Sequence, residues 1–451
     1  MLRILLVLVL AVASIPAFAQ PERGKFAEDI AARKDATQTY TLYLPTTYDA
    51  TKKHPVLFVF DPRGRGTPAA EIFRDGAEEY GWILISSNQT QSDGSNEPNE
   101  RALQALIPEL GLYATDPKRL YATGFSGTAM VSWLLGIRSA GLAGVIGVGG
   151  RLVEGAEPEK FSFAHYGFAA KHDFNNREMR MIDAILERSG KHPHRFQSYE
   201  GVHSWITPEL AREAIGWLEV VAGNRAVASK VFAEDVAAAD TKQGLEALRR
   251  YRAILRTYDG ILDVEVVRAR IAAIESDPAT RKELKEEEKW DEFERQYIET
   301  VLKRVPAIFS TLREEEGATI SSDFVRAFRI GDLRRHASRP GAEGASGQRL
   351  LETLYAQMVH RLPPQLFARH DYAFATALLE AATTIHPDRW SAWYNLASAY
   401  ALAGNPRRAF SSLEKAITAG FQDATHLETD EDFASLRKDK RFEQLLATLR
   451  Q

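Results

Sequence analysis

The hydrophobic pattern between residues 40 and 222 alternates between two periods. TYTLYLP (39–45) changes sides residue by residue and ends at Pro45, as a half-buried strand does. HPVLFVFDP (54–62) and GWILISSN (81–88) are nearly continuous apolar runs, the pattern of strands covered on both faces. RLYATGFS (119–126), LAGVIGVGG (142–150), YGFAAKHD (166–173) and HRFQSYEG (194–201) predict four more strands. Between and after them stand stretches of helical length: TAMVSWLLGIRS (128–139), the amphipathic REMRMIDAILERSG (177–190) with its glycine stop, and TPELAREAIGWLEVVAG (207–223). Strands alternating with helices predict an α/β fold, a doubly wound and mostly parallel sheet with helices on both faces.

From about residue 225 the strand signals vanish, and an all-α region is expected. RKELKEEEKWDEFERQY (281–297) carries opposite charges three and four residues apart, which predicts a solvated helix face. RHASRPGAEGASGQ (335–348) reads as a flexible connector. In 388–420, Trp393, Leu396, Tyr400, Ala403, Gly404, Ala409 and Ala416 follow a spacing that resembles a tetratricopeptide unit, in which small alanines let two antiparallel helices approach and the aromatics fill the gap. DEDFASLRKDKRFEQLL (430–446) is similar to the helix that closes such an array. The expected organisation is a leader at 1–19, a lead-in at 20–39, the α/β domain at 40–222, a helical linker region at 223–348 and a tetratricopeptide-like domain at 349–451.

The leader expectation rests on Arg3, an apolar core from Ile4 to Val12, and Ala17-Phe18-Ala19 before Gln20. This is the pattern of a secretory signal, so export to the periplasm or the medium is expected, with no membrane span once the leader is removed. The 451 residues contain no cysteine, which excludes thiol chemistry and cysteine metal sites. A net charge of −4 offers no electrostatic reason to expect nucleic acid. The loose Gly64-x-Gly66-x-x-Ala69 pattern has no carboxylate at the end of the next strand, Ser86-Ser87-Asn88, so no dinucleotide cofactor is expected. No metal-binding spacing is present.

The chemistry centres on Gly124-Phe125-Ser126-Gly127-Thr128. A serine flanked by small residues between a strand and a helix can sit on a sharp turn that projects its hydroxyl above the sheet. Thr128 stands where a glycine is usual, tolerable if its side chain points into open space. A serine needs a base, and the base a carboxylate. Asp173 ends one predicted strand, and His203 lies in the loop after the last. Of the other histidines, His165 is read as preceding its strand, His172 as pointing to the other face, and His192 and His194 as flanking Pro193 in a loop.

With YATGFSGTA, DFNNREM and GVHSW in view, residues 40–222 resemble the α/β-hydrolase superfamily, in particular secreted esterases of the polyhydroxybutyrate depolymerase and feruloyl esterase type. The resemblance implies Ser126 as nucleophile, Asp173 as orienting acid, His203 as base and the Gly127 N–H as an oxyanion donor. The second donor would come from the loop after VLFVF, where the family commonly has His-Gly and this chain has Asp61-Pro62. Pro62 has no N–H, which leaves Arg63 as the expected donor. The implied activity is hydrolysis of a small or polymeric carboxylic ester. The alternatives are a serine peptidase, for which the segment before residue 40 is too short to hold a propeller domain, and an inactive scaffold whose C-terminal helices bind a protein partner.

Overall fold

The computed structural model describes residues 21–92, 95–138, 141–153, 155–314 and 321–450; the expected leader lies outside them. Eight strands form one sheet: β1 (Phe26–Ala31), β2 (Thr39–Tyr43), β3 (His54–Phe60), β4 (Ile83–Ser87), β5 (Thr115–Phe125), β6 (Leu142–Val148), β7 (Ala164–Ala170) and β8 (His194–Tyr199). Their spatial order is β1-β2-β4-β3-β5-β6-β7-β8. The pairs β1–β2 and β2–β4 are antiparallel, and every pair from β4–β3 to β7–β8 is parallel.

Five helices cover this sheet: α1 (Gly66–Tyr80), α2 (Glu97–Leu106), α3 (Gly127–Arg138), α4 (Asn176–Ser189) and α5 (Pro208–Val221). Along β3, Val56, Phe58 and Phe60 join a core with Trp133 of α3 and Ile182 of α4. Leu57 and Val59 join a second core with Phe73 of α1 and Trp217 of α5. Two-sided burial is why β3 reads as an unbroken apolar run, and the observed class is the doubly wound one that the hydrophobic pattern predicts. β1 was not foreseen. It falls inside the expected lead-in, and it is an edge strand whose register shifts between Ala27 and Ile30, with Glu28 and Asp29 exposed. Charge and a bulge blunt such an edge and erase its alternation.

Nearly all the rest is helical: α6 (Arg225–Asp240), α7 (Gly244–Tyr258), α8 (Glu265–Ser276), α9 (Pro278–Thr300), α10 (Val305–Glu314), α11 (Ser321–Ala327), α12 (Ile330–Ala337) and α13 (Gly341–Ala356). The chain continues through α14 (Pro363–Phe367), α15 (Tyr372–Thr383), α16 (Trp390–Leu402), α17 (Pro406–Thr418), α18 (Ala424–Thr429) and α19 (Lys440–Leu449). One apolar cluster runs from Tyr297 to Leu446, across the expected boundary at 348/349. The flexible connector expected at 335–348 is instead the end of α12 and the start of α13. There Gly344 and Gly347 are buried, and an added Cβ would strike Arg339 O at 1.7 Å and Ala337 N at 2.4 Å. Small residues serve close helix packing here, not chain freedom.

His165 does not precede its strand. It lies within β7, buried, with no hydrogen-bond partner for either ring nitrogen among the described residues. Burial, with a smaller contribution from His194, pushes its pKa down to about 3. Because the folded value lies below the unfolded one, the unfolded chain binds the extra proton first. The stabilising effect is complete above about pH 6.5 and is lost as the pH falls toward 3. Urea unfolding at pH 7.5 and pH 4.5 is expected to show about 2–3 kcal/mol of this loss. In His165→Phe the difference between the two pH values should shrink by that amount, whatever the variant's absolute stability.

Candidate active site

Strand β5 ends at Phe125 and α3 begins at Gly127, so Ser126 is the whole connection. Its φ is +57°, a left-handed conformation that costs a non-glycine residue roughly 1–3 kcal/mol. The turn is held by Ser126 N–H donating to Val148 O at 2.9 Å. Gly124 is required by close approach, since a Cβ there would lie 2.2 Å from Thr128 O.

Thr128 does not point into open space. It is buried, with Oγ1 2.6 Å from Phe60 O and 2.8 Å from Phe125 O, and it accepts the Phe125 N–H at 3.2 Å. The hydroxyl thus ties the first turn of α3 to the ends of β3 and β5. Thr128→Val keeps the volume and removes the tie. It is expected to cost about 1–3 kcal/mol of stability, measurable by chemical unfolding.

The three residues expected to share one rim are brought together. His203 Nε2 is 2.9 Å from Ser126 Oγ, and His203 Nδ1 is 2.9 Å from Asp173 Oδ2. Asp173 is fully buried; its Oδ1 accepts the Asn175 N–H at 2.8 Å. The imidazole lies between Phe125 and Phe174, with ring centroids at 4.4 and 4.3 Å. Gly149 makes room for the assembly. Its φ is +51°, and a Cβ there would meet Asp173 Oδ2 at 2.6 Å. Such a constellation can pass a proton from a serine hydroxyl to an imidazole whose orientation a carboxylate fixes.

The two expected oxyanion donors stand differently in the structure. Gly127 opens α3, where a first-turn N–H has no intrahelical acceptor, and no described residue takes it. The expectation for Arg63 is corrected: its N–H donates to Asp61 Oδ1 at 2.9 Å. Asp61 is buried and also accepts from Arg65 Nε at 3.2 Å and Trp205 Nε1 at 3.0 Å. Burial alone would raise its pKa, but these hydrogen bonds outweigh it and hold the carboxyl below the usual range. Asp61 therefore ties the loop after β3 to the loop of His203, a role sequence reading missed because its partners are 2, 4 and 144 residues away.

Beside this loop lies a cleft of about 690 Å³ whose lining includes Gln38, Arg63, Asn88, Gln91, Glu97 and Arg101. Gln38 is buried and its Oε1 has no partner among the described residues. Ser92, next to Gln91, abuts Gly127, where an added Cβ would meet Ser92 Cβ at 2.5 Å. The cleft wall therefore adjoins the turn that carries Ser126.

No family model and no curated protein matches the chain. Among solved structures, a substrate-bound fluorophosphonate-binding serine hydrolase of Staphylococcus aureus is 14% identical over 44% of this chain and 99% of its own, with a TM-score of 0.37. A hyperthermophilic esterase from the archaeon Pyrobaculum calidifontis is 11% identical over 46% of this chain and 87% of its own, with a TM-score of 0.37. An S-formylglutathione hydrolase of Staphylococcus aureus is 15% identical over 44% of this chain and 98% of its own, with a TM-score of 0.35. At these identities and scores the likeness adds nothing to what the geometry of the site carries.

Proposed function

We propose that the chain is an exported serine hydrolase that cleaves a carboxylic ester through an acyl-enzyme. The observation that carries this reading is the unbroken hydrogen-bonded line Ser126–His203–Asp173, with the serine in a left-handed turn between strand and helix. Ser126 Oγ attacks the ester carbonyl as His203 Nε2 takes its proton. Asp173 holds the imidazole and stabilises the charge it gains. The oxyanion turns toward the Gly127 N–H, the tetrahedral intermediate collapses, and His203 returns the proton to the leaving alcohol. Water then repeats the sequence on the acyl-enzyme.

The cleft supports a polar ester over one with a long acyl chain. Its lining carries amides and charges, among them Arg63, Asn88, Gln91, Glu97 and Arg101, and such groups favour hydroxyl, amide or carboxylate substituents. Export is supported by the Ala17-Phe18-Ala19 pattern; no described helix is long and apolar enough to cross a membrane. The tetratricopeptide-like spacing at 388–420 supports a docking role for the C-terminal helices.

One observation favours a second reading, an inactive scaffold. With the Arg63 N–H spent on Asp61, the site offers one oxyanion donor where two are usual, and a missing donor costs roughly 10²–10³ in rate. A panel of chromogenic esters and the matching peptide amides tests the proposal. The reading expects turnover of polar short-chain esters ahead of amides. Equal, serine-independent turnover of every member would favour the scaffold.

A further inference from the structure

The acid loop, residues 171–175, carries Asp173 from the end of β7 to Asn176, the first residue of α4. Two arginines grip it, one at each end, and both are held by the helical region. At the far end Asn176 Oδ1 accepts from Arg180 Nε at 3.0 Å. The guanidinium of Arg180 in turn donates to both carboxylate oxygens of Asp291, at 2.8 and 2.9 Å, and to Glu287 Oε1 at 2.8 Å. At the near end Arg349 Nη1 donates to Lys171 O at 3.3 Å, while its Nε donates to Glu294 Oε1 at 3.0 Å and its Nη2 to the same oxygen. Lys171 Nζ is also paired with Glu200 at 2.5 Å and with Glu246 of α7 at 3.3 Å.

Glu287, Asp291 and Glu294 stand at i, i+4 and i+7 of α9, one stripe of the helix. The opposite side of α9 is the solvated face expected for 281–297, with Lys289–Glu286 and Arg295–Glu292 paired in the open. The stripe runs from half-buried to buried: Glu287 and Asp291 are partly exposed, while Glu294 is 2% exposed and its partner Arg349 8%. A surface ion pair adds little and moves freely; the two-oxygen grip of Arg180 on Asp291, and the buried Arg349 with two N–H groups on one oxygen of Glu294, fix geometry as well as charge.

From this we infer that α9 and α13 are part of the catalytic apparatus: the acidic stripe of α9, through Arg180 and Arg349, positions the loop that presents Asp173 to His203. Arg349, Arg180, Glu294 and Asp291 are positioning residues, none of which touches the reacting atoms. The inference rests on the serine hydrolase reading for its effect on rate, but not for its effect on the loop. Misplacing a catalytic group by about 1 Å can cost on the order of 10²-fold, so loss of the grip should appear in kcat.

The test uses the full chain with Arg349→Met/Glu294→Gln and Arg180→Met/Asp291→Asn. Each pair is removed together so that no buried charge is left unpaired. The control is Arg119→Met/Glu219→Gln, a half-buried arginine on a buried glutamate, at the opposite end of β5 from Ser126. In both clamp variants kcat for a chromogenic ester is expected to fall about tenfold or more with KM within about twofold, while the control keeps its kcat. Hydrogen exchange followed by mass spectrometry is expected to accelerate at 171–176 in the clamp variants alone. Unchanged kcat and unchanged exchange in the folded clamp variants would overturn the inference, and so would an equal loss of kcat in the control. If the wild type shows no Ser126-dependent turnover, the hydrolase reading fails by itself. The exchange arm then decides: faster exchange at 171–176 upholds the clamp, and unchanged exchange overturns it. Should a double variant not fold, Arg349→Lys, which retains the charge facing Glu294 and loses the Nη1 bond to Lys171 O, carries the same readouts.

Discussion

Replacing Ser126 with alanine is expected to lower ester turnover by at least on the order of 10³-fold while leaving the fold intact. The size follows from what is removed. In the proposed mechanism the hydroxyl is the attacking atom, and without it that mechanism keeps only binding and the Gly127 N–H. The fold should survive because alanine deletes one oxygen whose described side-chain partner is His203, and the strained φ of +57° is set by the backbone hydrogen bond to Val148 O. His203→Ala should cost a similar factor. The double variant Ser126→Ala/His203→Ala should be no slower than either single one, because the two act as a unit. Steady-state kinetics on the three variants, with circular dichroism to establish folding, checks both statements. Additive losses would mean that the two residues do not share one step.

Asp173→Asn carries the second large effect, roughly 10⁴ in kcat. The substitution is nearly isosteric, so the buried site keeps its packing. What changes is hydrogen-bond polarity. The carboxylate accepts from His203 Nδ1 and from the Asn175 N–H. An asparagine can satisfy the Asn175 N–H with its carbonyl, and its amide then faces the imidazole as a donor. That stabilises the tautomer with the proton on Nε2, which cannot accept from Ser126. KM for the ester should change little, because Asp173 is buried behind the imidazole. A fall in KM alone, or an unchanged kcat, would remove Asp173 from the mechanism.

These two variants address residues that were legible in the sequence, and the reason is physical. Ser126, Asp173 and His203 each follow a predicted strand of a parallel sheet, and the loops at the carboxyl ends of such strands converge. Chain order and strand ends therefore picked out three side chains that the fold brings into hydrogen-bond contact. The strands β3, β4 and β6 were legible because two-sided burial makes them apolar along nearly their whole length. β1 was not, since an edge strand with a bulge carries no alternation.

Other losses trace to contacts that composition cannot show. The glycines and alanines of α13 look like a linker until the packing of Gly344 and Gly347 on residues 337–339 is seen. The charges of α9 suggest solvent exposure, which most of them have, and only the spacing of Glu287, Asp291 and Glu294 hints at the one stripe that pairs with Arg180 and Arg349. Thr128 and Asp61 looked like departures that weaken the site. The first proves to fasten α3 to the sheet, and the second fastens the β3 loop to the His203 loop while occupying the Arg63 N–H.

The central claim is that Ser126 is an activated nucleophile in the folded chain. Fluorophosphonate labelling of the purified protein, read by mass spectrometry of the digested chain, tests this without knowledge of the substrate. The account predicts a stoichiometric adduct on the peptide containing Ser126, with labelling slowed by orders of magnitude in His203→Ala. Well-folded protein that stays unmodified, or an adduct on another serine while Ser126 remains free, would contradict it.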